Sequence, residues 1–385
     1  MIPLAKPFLG DDEIQAVAEV LHSGWVTQGP KAAAFEEAFA AFVGAEHACV
    51  VSNCTAALHL ALKAAGVGPG GEVVTVSHTF IAAANAIHAV GARPVFVDIR
   101  PGTFNMNPSQ IEAAITDRTR AILCVHQMGM PCELEAIVEI ARRRSLPVIE
   151  DAACAVGSEI FWSGGWEKIG RPHGDVACFS FHPRKVITCG EGGMLTTSNS
   201  EWDQKFRLWR NQGSSVPAEA RHTSKEIVFE TYPEPGANYR MTDIQAAVGI
   251  EQLKHLPNFI ACRRHLAERY RSLLAALPGF ETPEEPEWAR SNWQSYCVRL
   301  PDECVQRALM LSLREKSIAT ARGIMCIHRE ASWPEGAWKC APSGLVESEK
   351  AQDRCILLPI FHEMGEEEQR EVIGRVKEWK NVVLE

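Results

Sequence analysis

Between residues 48 and 151 short apolar, β-branched runs alternate with amphipathic stretches of helical period. Ala48–Val51, Glu72–Val76, Arg93–Asp98, Ala121–His126 and Leu146–Asp151 read as strands. Ala56–Leu62, Ile81–Val90 and Cys132–Arg144 read as the helices between them. Strands joined by helices at this spacing predict a doubly wound α/β domain with a mostly parallel sheet. Ligands of such sheets bind beyond the carboxyl ends of the strands. Asp151 falls at one such end, after an apolar run, where a carboxylate needs a cationic or donor partner.

Upstream, residues 1–9 read as an extended arm. A helix is expected from about Asp11, capped by Asp11 or Asp12, with Ile14, Val17, Val20 and Leu21 on one face. A loop through Trp25 and Thr27 precedes a second helix, Lys31–Val43. The junction Ser52-Asn53-Cys54-Thr55-Ala56 runs from strand straight into helix. It offers free backbone N–H groups and the Thr55 hydroxyl to an anion. No GxGxxG follows the first strand and no Walker A sequence is present, which counts against an NAD-dependent oxidoreductase and a P-loop enzyme.

Phe179-Ser-Phe-His-Pro-Arg-Lys-Val-Ile-Thr-Cys-Gly-Glu-Gly-Gly193 places Lys185 between a buried strand end and a glycine-rich turn. A lysine held there is poorly solvated. Desolvation favours the neutral amine, which can attack a carbonyl. Beyond it come a helix over Asp203–Trp209 and a long polar loop over 214–235. Two helices then follow, one capped by Thr242 or Asp243 and ending at Leu253, the other spanning His255–Leu277. The domain boundary is expected near residue 256, giving a large domain 1–255 and a small α+β domain 256–385. The latter has strands Gln294–Leu300 and Ile318–Ile324 and helices Glu303–Lys316 and Glu366–Lys380. Ser291–Tyr296 and Gly323–His328 read equally well as substrate-facing segments or as core.

A net charge of −9 and the lack of basic runs argue against nucleic acid as a partner. The 13 cysteines are scattered without a CxxC pair, so neither a metal cluster nor a disulfide framework is expected, and a reducing cytoplasm suits them best. No run reaches membrane-spanning length, and MIPLAKPFLGDDE lacks a signal-peptide core.

SNCTAALHLAL, SHTFIAAANA, PVFVDI, VIEDAA, FSFHPRKVITCGEGGMLTT, RNQG and NYRMTDIQAAVG occur in this order. Together they resemble the DegT/DnrJ/EryC1/StrS group of pyridoxal-phosphate sugar aminotransferases, over nearly the whole chain. The resemblance implies the aspartate-aminotransferase-like fold type I, a homodimer with shared active sites, and pyridoxal 5'-phosphate as cofactor. By motif position Lys185 is the lysine that holds the cofactor as a Schiff base, and Asp151 pairs with its ring nitrogen. Ser180 and the Thr55-Ala56 turn hold its phosphate, and Phe80 lies over its face. Asn238 reaches the phosphate of the neighbouring subunit. Many relatives read EDAAQ or EDAAH where this chain has Cys154, a weak hydrogen bonder, so a polar contact there is in doubt. Intact Lys185 disfavours the dehydrating branch that carries histidine. The implied reaction moves an amino group from L-glutamate to a nucleotide-linked keto-deoxysugar, in a cleft lined by Trp25, Thr27, His182 and Arg184. A same-fold enzyme for a cyclitol or aminobenzoate precursor, or a catalytically silent homologue, are the alternatives.

Overall fold

The computed structural model describes residues 1–216, 227 and 229–383. Residues 217–226 and 228 of the expected 214–235 loop therefore lie outside the described residues. The strands are β1 (His47–Val51), β2 (Glu72–Val76), β3 (Arg93–Val97), β4 (Thr119–Val125) and β5 (Val148–Asp151). They continue with β6 (Glu159–Trp162), β7 (Gly165–Lys168), β8 (Val176–Ser180), β9 (Gly193–Thr197) and β10 (Ala289–Arg290). β11 (Tyr296–Arg299), β12 (Ala321–Arg322), β13 (Lys339–Cys340) and β14 (Cys355–Leu358) complete the set.

Eight of these form one sheet in the order β1-β9-β8-β5-β4-β2-β3-β13. Only β9 runs against the others in it. This is the α/β architecture expected of the alternating pattern. β2 occupies the residues its β-branched run marks out, and every residue of it is buried. Sheet strands buried on both faces read as continuous apolar runs for this reason.

Helix α1 (Asp11–Ser23) starts where expected, but Gly10, not Asp11 or Asp12, is the N-cap, and the Glu13 carboxylate accepts the Gly10 N–H at 2.7 Å. Its buried side is Glu13, Ala16 and Val20. Ile14 and Leu21 of the expected apolar face stay 67% and 56% exposed, because Glu13 turns inward to reach Gln252 at 2.8 Å and Gly10. Helix α2 (Pro30–Val43) has its first turn capped from afar, since the Asp243 carboxylate accepts the N–H groups of Gly29, Lys31 and Ala32. An acidic group at a helix N-terminus complements the helix dipole there.

The two helices expected between Thr242 and Leu277 are one 32-residue helix, Asp243–Leu274, with Pro257 inside it. Thr242 caps it, its hydroxyl accepting the Gln245 N–H at 3.2 Å. A proline inside a helix removes one hydrogen bond and usually breaks it. Here the helix persists because both halves are buried. Leu253, Leu256, Phe259 and Ile260 pack into the core around the large sheet, and Leu266, Ala267, Tyr270 and Leu274 into a second core around β11 and β14. No loop separates the two cores near residue 256.

The strand expected over Ile318–Ile324 shrinks to β12, and the helices over 303–316 and 366–380 are Gln306–Glu315 and Glu366–Val383. β14 and the helix Val346–Arg354 before it went unanticipated, as did the β6–β7 hairpin. β13, only two residues long, pairs parallel to β3 and so carries the C-terminal half back onto the large sheet.

Candidate active site

The carboxyl ends of β1, β5 and β8 meet at one edge of the sheet, with the start of β9 between β1 and β8. Gly193 makes that junction possible. A Cβ on it would stand 2.5 Å from the Asn53 carbonyl carbon, so only glycine lets β9 press against the turn after β1.

That turn opens helix α3 (Cys54–Ala64), with Asn53 as N-cap. The Asn53 Oδ1 accepts the Ala56 N–H at 2.9 Å, so this N–H is not free as expected, because asparagine is a strong N-cap. The N–H groups of Cys54 and Thr55 have no intrahelical partner, and the Thr55 side chain is exposed. Ser180 ends β8 with its hydroxyl accepting the His182 N–H at a long 3.4 Å.

Lys185 follows in a turn closed by its own N–H on the His182 carbonyl at 2.8 Å. Its Nζ donates to Cys154 Sγ at 3.1 Å, across from the segment after β5. Burial pushes the ammonium down, but Cys154 and Asp151 outweigh it, and the pKa lies above the ordinary lysine value. Desolvation pulls toward the neutral amine, as expected, and the neighbouring Cys154 and Asp151 act in the opposite sense.

Asp151 is the converse case. Burial raises its carboxyl above the ordinary range, against one backbone N–H, from Ala153 at 3.1 Å, and the more distant positive charge of Lys185. No hydrogen bond reaches its Oδ2 among the described residues. A buried carboxylate with an open oxygen is suited to a protonated ring nitrogen. Together with the open N–H groups of Cys54 and Thr55, it fits an anionic, ring-nitrogen-bearing cofactor.

The remaining candidates lie further out. Phe80, just past the end of β2, is 70% exposed and is not a core aromatic. Arg184 is exposed, and His182 is half-buried with Nδ1 accepting the Arg184 N–H at 3.2 Å. The Trp25 indole donates to the Gln28 carbonyl at 3.2 Å, and Thr27 is exposed with its carbonyl accepting the Asp243 N–H. Asn238 is exposed, bridging Asn211 by backbone, and the next residue, Tyr239, receives the Ser52 N–H at 2.8 Å. A cavity of about 450 Å³ is lined by Gln28, Arg207, Arg210, Asn211 and Arg240 and does not include Lys185.

The profile of the DegT/DnrJ/EryC1/StrS aminotransferase family matches residues 7–377. The chain belongs to this family. Its members, and with them this aminotransferase, work with pyridoxal 5'-phosphate. The enzyme is 37% identical over 381 residues to the spore coat polysaccharide biosynthesis protein SpsC of Bacillus subtilis, covering 98% of this chain and 96% of that one. Among solved structures, the aminotransferase TlmJ from Streptoalloteichus hindustanus is 33% identical with a TM-score of 0.89 over 100% of both chains. DesV from S. venezuelae, solved in complex with a ketimine intermediate, is 34% identical with a TM-score of 0.85, covering 95% of this aminotransferase and 94% of DesV. Among the described residues no helix is long and apolar enough to cross a membrane, and no cluster of three metal-ligating side chains occurs.

Two features of the site had no reading in the sequence. One is the Lys185–Cys154 contact, although EDAAC carried a signal as a departure from the family pattern. The other is the hydrogen bonding of Asn292 and Gln294 to the same loops, in a segment whose sequence left core and substrate-facing roles equally open.

Proposed function

We propose that this aminotransferase moves an amino group from L-glutamate to a nucleotide-linked keto-deoxysugar, with Lys185 carrying pyridoxal 5'-phosphate as a Schiff base. The observation that carries the reading is Lys185 and Asp151 at one sheet edge, with Asp151 raised by burial and one oxygen open. When bound, the cofactor supplies an electron sink for ionising a C–H bond beside nitrogen. Asp151 holds the ring-nitrogen proton in place. Lys185 Nζ takes a proton from the donor carbon and returns one in the second half-reaction, a role worth about 10²- to 10⁴-fold.

The N–H groups at the Cys54-Thr55-Ala56 turn, with the Thr55 and Ser180 hydroxyls, hold the phosphate. Phe80 covers the ring, and Cys154 sits beside the lysine. Trp25, Thr27, His182 and Arg184 line the acceptor side, and Asn238 reaches the site of a second copy in a homodimer. The exposed Ile14 and Leu21 support such an assembly. A large cofactor-binding unit up to about residue 255 and a smaller one after it share the long helix. The free thiols of all 13 cysteines suit a reducing cytoplasm.

Borohydride should bleach the visible band of the cofactor-loaded protein and leave the reduced adduct on Lys185 in peptide maps; an adduct elsewhere would sink the assignment. Lys185→Ala should lower turnover by about 10²- to 10⁴-fold with an unchanged melting curve. A coupled assay with UDP-, GDP- and dTDP-linked keto-sugars beside a cyclitol ketone tests the acceptor. Turnover of the cyclitol alone would overturn the nucleotide-sugar reading.

A further inference from the structure

One turn, Ser291–Ser295, reaches from the C-terminal part of the chain to both loops that carry the site. Asn292 is 0% exposed. Its Nδ2 donates to the carbonyls of Cys154 at 2.8 Å and Val156 at 2.9 Å, and its Oδ1 accepts the Gln294 N–H at 2.9 Å. The Asn292 N–H donates to the Ser158 hydroxyl at 3.0 Å, which donates to the Gly129 carbonyl at 2.7 Å. Gln294, also buried, donates from Nε2 to the Arg184 carbonyl at 2.8 Å, one residue before Lys185. Its Oε1 accepts the Ser295 hydroxyl at 2.9 Å, which fixes the amide's orientation.

The turn is itself anchored and strained. The Arg263 guanidinium is buried without a carboxylate partner among the described residues. Its Nη1 donates to the carbonyls of Trp293, Gln294 and Ile360 at 3.1, 3.3 and 3.2 Å. Burial pushes its pKa down to about 10. Trp293 (φ 51) and Met128 (φ 57) both occupy the left-handed region, and a Cβ on Gly129 would fall 2.0 Å from Asn292 Oδ1. Such backbone strain persists only where the surroundings over-determine it, and gathers at functional sites.

We propose that Asn292 and Gln294 are positioning residues for amino-group transfer: each holds one of the two loops, and together they set where Lys185 Nζ stands relative to Cys154. The proposal rests on the reading of Lys185 as the reacting lysine. The loops leave the neighbouring strands β5 and β8 beyond their last paired residues, Asp151 and Cys178, where the sheet ladder no longer holds one against the other and a third element can do so. Asn292 and Gln294 belong to the same turn, so any displacement of that turn is felt at both. A misplacement of about 1 Å at a reacting group costs on the order of 10²-fold in rate.

The test is Gln294→Met, which keeps the side chain's bulk and removes the donor to Arg184. Three readouts are taken on the purified protein. The first is the melting curve. The second is the rate at which an amine-reactive reagent labels Lys185 in cofactor-free protein, followed by mass spectrometry with Lys205, whose side chain is 34% exposed, as internal reference. The third is the cofactor's absorbance change with the fastest donor from a panel of L-amino acids. Support is a wild-type melting curve, Lys185 labelling changed at least about threefold relative to Lys205, and kcat down by about 10²-fold with KM within about threefold. Unchanged labelling and kcat in folded Gln294→Met overturn the proposal. If that variant does not fold, Ser295→Ala, which frees the Gln294 amide to rotate, takes its place. It should change labelling and kcat in the same sense, and no change in either overturns the proposal. Absence of a borohydride-trapped adduct on wild-type Lys185 refutes the underlying reading instead, and is recognised separately.

Discussion

Two buried carboxylates within the same half of the molecule meet opposite fates. Glu36, on α2, is packed against β1 and accepts the Val50 N–H at 2.9 Å. Arg207 reaches it at 2.6 Å, and Arg210 bonds its other oxygen. Burial works to raise its pKa, but the two guanidiniums, Arg210 foremost, outweigh it and hold the carboxyl below its ordinary value. Asp151, equally withdrawn from water, is raised, because one backbone N–H and a shared lysine do not offset the loss of solvent. A carboxylate whose partners all come from the chain is structural. One left short of partners at a strand end is waiting for a partner from outside, and that difference separates scaffold from site.

Glu36→Gln should show the largest effect on folding. It leaves Arg210, already buried with Nε unpartnered, without its anion, at a cost of about 3–5 kcal/mol in urea denaturation. The sign follows from the depressed pKa: the stabilisation is present above the unfolded carboxylate value and is lost as pH falls through the lower folded one. The gap between wild type and variant should therefore close in acid, and a constant gap would break the comparison.

Asp151→Asn should act on the other side of the divide. Turnover falls by about 10²- to 10³-fold, the scale of losing one preorganised electrostatic contact. Cofactor-free protein should melt no lower than wild type at neutral pH. With a raised pKa, the favourable contribution of Asp151 is present below the unfolded value and is lost as pH rises through the folded one. A large loss of stability at neutral pH would show that Asp151 is structural after all.

Arg207→Met probes the weaker of the two guanidiniums at Glu36. Its side chain is 39% exposed, against 6% for Arg210. Solvent screening limits the loss to about 1 kcal/mol in the same denaturation. A loss equal to that of Glu36→Gln would mean that burial does not grade these contacts.

Much of this was open to reading along the chain. β2, the start of α3 and the cap on Thr242 are local matters, encoded by β-branched runs and by Asn and Thr at cap positions. So were the motifs that carry Lys185 and Asp151, because they are short and lie at strand ends. What misled was equally local. Pro257 signalled a helix start, yet the helix runs through it because two cores bury its two halves. The apolar stripe Ile14–Leu21 signalled a buried face, yet Glu13 turned inward.

By itself the sequence determined the alternation of strands and helices and the family motifs around Lys185, since hydrophobic period and motif chemistry are short-range properties. Only the tertiary structure decided that β13 returns to the large sheet and that Lys185 Nζ meets Cys154. Those depend on which distant groups reach a buried site first. Asn292 and Gln294, more than 100 residues from the loops they hold, left no local trace of that task.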